Sequence, residues 1–379
     1  MAEPRPRLLL VTRNFPPLWG GMERLNWHMA QELARQYEVH VVGPAGACEH
    51  SPEGVHVSDV PLRPMVRFLV CATWTAVRVA RRERPRVILA GSGLTAPIAW
   101  LAGSLSGAFT AAYVHGLDLV VPSWVYRWIW VPLLRRIDRV IANSRATAAL
   151  ATRVGVDGDH IRIVHPGVEV PSLETDARAR FRARHGLGER PVLLSVGRLT
   201  VRKGLREFVA QVLPKIVAQR PDLMLLIVGD VPVNALFAEA QTPESILRAA
   251  QAAGVDSHVR FLRPQFGQDL AEAYAGADVH VFPVREIPND PEGFGMVALE
   301  AASHGVPTVA YATGGVVDAV SEGVSGSLVP PHDADAFADA VIRILKSPPS
   351  PQAMQSFATS LAWPAFGRGV RQALETMSR

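Results

Sequence analysis

"VILAGSGLTAPIAWLAGSLSGAFTAAYVHGL", residues 87–117, runs for 31 positions without an Asp, Glu, Lys or Arg. An apolar run of that length is enough to span a bilayer. Gly91, Gly93, Gly103, Gly107 and Pro97 interrupt it, however, and it divides more naturally into "RVILAGS", "TAPIAWLAGSL" and "FTAAYVH". Strand, helix and strand, all apolar, are what the interior of a parallel α/β sheet looks like, because helices cover both of its faces. The buried-sheet reading is therefore expected over the membrane-spanning one.

The same rhythm extends outward. Before the run come "RLLLVTR", "EVHVVGP" and "VHVSDV"; after it come "RVIANS" and "IRIVHPG". Between them lie amphipathic stretches such as "GGMERLNWHMAQELARQ", where Leu25, Met29 and Leu33 share a helix face. A polar, Arg-rich interval, "PSLETDARARFRARHGLGER", follows Val170, and the rhythm then restarts with "PVLLSVGR", "LMLLIVGD", "VRFLRP", "VHVFPV" and "PTVAYATGG". Alternating strands and helices predict an α/β fold of two Rossmann-like, doubly wound domains, residues 1–175 and 176–355. A last helix, around Met354 to Met377 and interrupted at Pro364, is expected to carry residues 356–379 back onto the first domain.

The 379 residues suit two domains, and with 48% hydrophobic residues a large core is within reach. Cys48 and Cys71 give neither a bridge framework nor metal-ligand spacing, so a reducing, cytoplasmic setting is the default expectation. "MAEPRPRLLL" has no long apolar core with a small-residue cleavage site, and a secretory signal is not expected. Between Arg63 and Arg86 stand seven arginines and one acid, Glu83. They read either as a solvated helix face or as a surface for anionic lipid or substrate. Nucleic acid is not expected as a partner, because no helix-turn-helix, zinc or RNA-binding signature accompanies them.

Ligands of open α/β sheets bind beyond the carboxyl ends of the strands, so motifs that follow strands matter most. "GSGLTA", Gly91 to Ala96, has the glycine spacing of a dinucleotide loop but lacks an acid about 20 residues on. "VDGDH" and "HDADAF" hold Asp-x-Asp triplets that read as turn and cap residues rather than metal ligands. In "GRLTVRKG", Arg198 and Lys203 follow a strand ending at Gly197; an arginine fork with a compact ammonium suits a phosphate pair, against the plainer reading of a solvated loop. His115, ending the strand in "YVHGLD", is alone as compatible with a structural role as with a catalytic one. "PEGFGMVALE" places Glu292 eight residues before Glu300. On one helix they would lie roughly 80° and 12 Å apart, too far for an acid/base pair. Two glycines in "GFG" favour a turn, which puts the helix start near Gly295, Glu292 at its mouth and Glu300 a turn and a half inside. Such a helix start is an anion site.

Together, "GRLTVRKG", "VFPVREIPNDPEGFGMVALEAASHGVPTVAYATGGVVDAV" and "GVSGSLVPPHDADAFADAV" resemble the retaining nucleotide-sugar glycosyltransferases of family GT4, with their E-x7-E element. "FPPLWGGMER", "HGLD", "ANSRATA" and "HPGV" resemble the same family, so the likeness covers nearly the whole chain. The resemblance implies a GT-B fold, with acceptor bound mainly by the first domain and the nucleotide-diphosphate (NDP) sugar mainly by the second. It implies that Arg198 and Lys203, beside Gly197, clamp the diphosphate. Glu292 and the backbone of Gly293, Phe294 and Gly295 would hold the donor-sugar hydroxyls, with Met296 and Val297 in the same donor-binding run. Glu300 would hold the ribose. Gly20 and Gly21 would let the first loop approach the reacting centre, His115 would contact the sugar from the opposite domain, and Met22, Glu23 and Asp118 would lie on the acceptor side. Two departures, "VGDVP" and Arg263-Pro264 in "VRFLRP", fall where the base would be read.

The activity expected by resemblance is retaining transfer of a hexose, from GDP-mannose or a UDP-hexose, to a hydroxyl of a saccharide or lipid-linked acceptor in bacterial surface polysaccharide or glycolipid synthesis. Neither a cofactor nor a metal is expected. A non-catalytic sugar-nucleotide binding module and a nucleotide-dependent oxidoreductase using "GSGLTA" are the alternatives. In "PSWVYRWIWVPLLRR", residues 122–136, aromatic rings crowd beside Arg127, Arg135 and Arg136. That composition suits either peripheral contact with an anionic membrane at its inner face or an acceptor pocket.

Overall fold

A computed structural model describes residues 5–172, 176–231, 240–263 and 267–375. The chain divides into two units, Met1–Gly167 with Trp363–Arg379, and Val168–Ala362. The expected boundary at 175 thus moves to Gly167.

In the first unit the apolar runs become β1 (Arg7–Val11), β2 (Glu38–Pro44), β3 (Val55–Val60), β4 (Val87–Ala90), β5 (Phe109–Val114), β6 (Arg139–Ala142) and β7 (Ile161–Ile163). They form one parallel sheet in the order β3-β2-β1-β4-β5-β6-β7. Three helices matter below: α1 (Gly21–Leu33), α2 (Met65–Glu83) and α3 (Ala96–Ser106). The charge-free run is therefore β4, α3 and β5, with Gly107 at φ 75° ending the helix. Among the described residues no helix is long and apolar enough to cross a membrane. Leu25, Met29 and Leu33 are buried on α1, while α2 buries Phe68, Ala72, Ala76, Val79 and Ala80.

The second unit repeats the plan with β8 (Val192–Val196), β9 (Met224–Val228), β10 (Val259–Leu262), β11 (Val279–Phe282), β12 (Thr308–Tyr311) and β13 (Gly326–Val329). Their order is β10-β9-β8-β11-β12-β13, again parallel. Strand order reverses beside β1 and β4 in the first sheet and beside β8 and β11 in the second. Those switch points open a crevice at the carboxyl ends, where ligands of such sheets bind.

The carboxyl-terminal segment departs from expectation. Rather than one helix interrupted at Pro364, there are two, Pro351–Ser360 in the second unit and Trp363–Glu375 in the first. Pro364 sits in the first turn of the latter, where the N–H it lacks has no partner to lose, so it starts a helix instead of breaking one. That helix packs on α1: Trp363 stacks on His28 with ring centroids 4.0 Å apart, and a Cβ on Gly367 would meet Glu32 at 2.5 Å. Both Asp-x-Asp triplets are caps. Asp157 accepts from the Asp159 N–H at 3.0 Å, and Asp333 accepts from the Ala336 N–H at 2.8 Å. Pro232, Pro264 and Met377 lie outside the described residues.

Candidate active site

In the second unit two loops meet at the switch point. The first leaves β8 through Gly197, at φ 137°, and ends in a short turn, Val201–Lys203. Gly204 closes that turn at φ 70°, and a Cβ there would meet the Pro283 carbonyl at 2.2 Å, so only glycine fits. The second loop runs from β11 to the helix Met296–Ser303, whose cap residue Gly295 takes φ 97°. Glu292 therefore lies in the loop before the helix and Glu300 inside it, as the glycines predict. The loop is braced from behind: the Gly315 N–H donates to the Glu292 carbonyl at 2.8 Å, and Phe294 buries its ring in the core. With that ring turned inward, the run Gly293 to Gly295 offers a ligand its backbone.

The side chains converge on Glu292. Lys203 Nζ donates to its Oε2 at 2.8 Å, and the Arg202 guanidinium donates to the same oxygen. Arg202 Nε also donates to Asp290 Oδ1 at 3.0 Å. Burial alone would push the Glu292 carboxyl up, but Arg202 and Lys203 outweigh it and hold the group at about 2. Lys203 is pushed down to about 8 by burial and by the neighbouring Arg202 and Arg198, with Glu292 pulling the other way. Its ammonium also sits 4.5 Å from the centre of the Phe282 ring. Behind them His280 is fully buried and held down at about 3 by burial, then by Lys203. Glu300 is buried, and its Oε2 accepts from the Tyr274 hydroxyl at 3.1 Å.

Of the expected diphosphate clamp, Lys203 is inward and bonded to Glu292, whereas Arg198 is exposed. The residue that sequence reasoning missed is Arg202. Its signal stood in the same "VRKG" run, but with Arg198 and Lys203 already read as the phosphate pair, a further arginine in the loop reads as solvated. Its burial, with two carboxylates from another loop, comes only from the fold.

In the first unit the expected residues gather beyond β1, β4 and β5. Gly20 is extended at φ 163° and caps α1, whose first residue is Gly21. Glu23 accepts from Asn14 Nδ2 at 2.8 Å. The Met22 carbonyl accepts from Asn26 Nδ2 at 2.9 Å. His115 Nε2 lies 3.0 Å from the Gly91 carbonyl, and since a carbonyl only accepts, this nitrogen carries the proton. Asp118 takes the N–H groups of Gly93, His115 and Gly116 at 2.8, 2.9 and 3.0 Å. "GSGLTA" is thus clasped by residues of the chain itself. Trp124 and Trp128 are 76% and 77% exposed, but Trp130 is tied inward, its indole N–H donating to the Leu94 carbonyl at 2.9 Å.

Known proteins place this arrangement. The family model described as glycosyltransferase family 4 matches residues 19–170, and that described as glycosyl transferases group 1 matches residues 177–360. A GDP-mannose-dependent alpha-(1-6)-phosphatidylinositol monomannoside mannosyltransferase of Mycolicibacterium smegmatis is 32% identical over 366 residues, 92% of this chain and 91% of its own. A D-inositol 3-phosphate glycosyltransferase of Actinosynnema mirum is 33% identical over 363 residues, 87% of this chain and 84% of its own. Among solved structures, Anabaena HepE in complex with UDP shares the fold with a TM-score of 0.81 at 19% identity, covering 98% of this chain and 100% of that one. The oxidoreductase alternative falls with these matches. Each unit meets a family model, and a relative is alike over nine-tenths of the chain: it belongs to glycosyltransferase family 4, with the GT-B fold of enzymes that use nucleotide sugars.

Proposed function

We propose that the protein transfers a hexose, with retention of configuration and without a metal, from an NDP-sugar to a hydroxyl of a saccharide or lipid-linked acceptor. The observation that carries the reading is the Glu292, Lys203 and Arg202 cluster at the start of the helix Met296–Ser303. Breaking the sugar–phosphate bond builds negative charge on the departing diphosphate, and donors already aimed at that charge are usually the largest catalytic contribution. Lys203, Arg198 and the free N–H groups of the helix start supply them. Lys203 exchanges its bond to Glu292 for the diphosphate when donor binds. Arg202 and Asp290 keep the freed carboxylate charged and oriented toward the sugar hydroxyls, with the backbone of Gly293 to Gly295 beside it. Glu300 grips the ribose. The acceptor hydroxyl attacks the anomeric carbon from the face the nucleotide leaves, and its proton passes to the leaving phosphate.

The first unit is assigned the acceptor, with His115, Met22, Glu23 and Asp118 near it and Gly20 and Gly21 at the approach. GDP-mannose is the first donor to try, because the Mycolicibacterium smegmatis relative is named for it. Exposed Trp124 and Trp128 support peripheral contact of residues 122–136 with an anionic membrane at the cytoplasmic face. The test is a thermal-shift screen of GDP-mannose and UDP-hexoses, followed by mass spectrometry of products with a lipid-linked acceptor. A stabilising donor that is then transferred with its anomeric configuration kept supports the reading. Stabilisation without any turnover returns the protein to the binding-module alternative, and an inverted product refutes retention.

A further inference from the structure

A groove of about 980 Å³ runs along the first unit between α2 and α3. Thr73, Val77, Ile98 and Leu101 line it together with the rings of Trp74, Trp100 and Trp130. Its α2 side is apolar and in solvent: Val70 and Trp74, four residues apart on the groove, are both 63% exposed, and Val66, one turn before the lining, is 71% exposed. Exposed apolar groups in one contiguous patch mark a binding surface rather than scatter. Arg78, Arg81 and Arg82 line the same groove, and the Arg78 guanidinium lies 5.2 Å from the centre of the Trp74 ring. The one acid of the stretch, Glu83, is already bonded to Arg82 and His40.

These features select an occupant. Aliphatic and tryptophan walls offer a sugar or nucleotide few hydrogen bonds. A second copy in a two-fold contact centred on this groove would set its own arginine cluster close to this one, with Glu83 already paired within the chain, which opposes association. A hydrocarbon chain with an anionic head fits both halves of the site. We propose that this groove takes one acyl chain of an anionic phospholipid, lifted out of the bilayer, with Arg78 and Arg81 against the headgroup phosphate. This goes beyond the surface contact of residues 122–136 proposed above and does not depend on which lipid, if any, accepts sugar.

The test uses the full chain and a fluorescent fatty acid whose emission rises in apolar surroundings, displaced by lysophosphatidylglycerol below its micellar concentration. Displacement at one chain per protein is expected, with glycerol phosphate alone failing to compete. Val70→Glu and Trp74→Glu, at exposed positions that leave folding intact, should each weaken chain binding about tenfold or more by setting a carboxylate at an apolar lip. The double variant Arg78→Ala/Arg81→Ala should weaken lysophosphatidylglycerol but not a neutral single-chain lipid. Donor thermal shifts should be unchanged in all three, which separates failure here from failure of the proposed reaction. The inference is overturned if both glutamate variants bind the probe like wild type, if glycerol phosphate competes as well as the lysolipid, or if the protein floats with phosphatidylglycerol vesicles yet binds no single chain.

Discussion

Raising the pH should disarm the donor site at one lysine. Lys203 loses its proton at about 8, against an ordinary 10.5, because burial and then Arg202 and Arg198 disfavour the charge more than Glu292 favours it. Two neighbours, Glu292 and His280, titrate far below that range. Glu292 stays ionised from about 2 upward, and His280 is already neutral above about 3. If the ammonium is what meets the diphosphate, kcat/KM should fall along a single basic limb centred near pH 8. At pH 9 roughly a tenth of the enzyme remains protonated, so each further unit costs about tenfold. Lys203→Arg keeps its charge throughout and should flatten that limb. Glu292→Gln removes the upward pull and should move the limb to lower pH, on top of its own loss of rate. Unfolding will not mimic the effect. With the folded value below the unfolded one, the unfolded chain binds the extra proton between about 8 and 10.5, so this residue's contribution to stability rises across that window. The assay is steady-state kinetics from pH 6.5 to about 9.5 with donor varied. A flat wild-type profile, or an unchanged limb in Lys203→Arg, would refute the assignment.

The two glutamates should separate kinetically. Glu292→Gln is expected to lower kcat strongly, whereas Glu300→Gln should raise donor KM about ten- to a hundredfold, the loss of one charge-assisted hydrogen bond of ~1.5–3 kcal/mol; equal kcat losses would sink the division. A 2′-deoxyribose donor should bind more weakly than donor to wild type but not to the Glu300 variant. Transfer should persist in excess chelator, and abolition reversed by manganese would overturn metal independence. Gly315→Ala puts a Cβ 1.9 Å from the Gly293 carbonyl oxygen and should destabilise by ~1–3 kcal/mol while lowering kcat; a wild-type melting temperature would show the loop to be less constrained than its packing implies.

How much of this was legible before the fold was known follows from what each residue's signal depends on. The central strands announce themselves as apolar runs flanked by turn residues, because buried parallel strands need apolar side chains on both faces, whereas the edge strands β3 and β7 keep exposed positions and were legible from their flanking turns and alternation. β13 is different: four residues, "GSLV", begin with a glycine whose added Cβ would lie 1.9 Å from the Thr308 carbonyl oxygen, and nothing local marks them as sheet. The helix start at Gly295 was readable from two glycines, since the requirement for a positive φ is local. The partners of Glu292 were not. Lys203 stands out in the sequence as a phosphate pair with Arg198, but Arg202 lies 90 residues from the carboxylate it meets, and only the adjacency of β8 and β11 brings them together. Trp128 and Trp130 carry the same signal in one aromatic run, although Trp130 turns inward to Leu94 and Trp128 into solvent: two positions apart on a helix, they face nearly opposite ways, and which face is buried is decided by the packing around it.

The helix Trp363–Glu375 closes on α1, and Arg371 donates to the carbonyl of Glu32, 339 residues earlier. The first unit is thus begun at one end of the chain and finished at the other. At synthesis rates of about 5–20 residues per second, roughly 17–70 s separate the emergence of Glu32 from that of its partner. Through that interval the face of α1 that later meets Trp363 and Gly367 lacks that cover, while Val168–Ala362 is contiguous and has all its own strands. The later unit is able to complete itself on the ribosome before the earlier one, and a chain cut short after Ala362 would lose the packing of the unit it started with, not of the one it had just left.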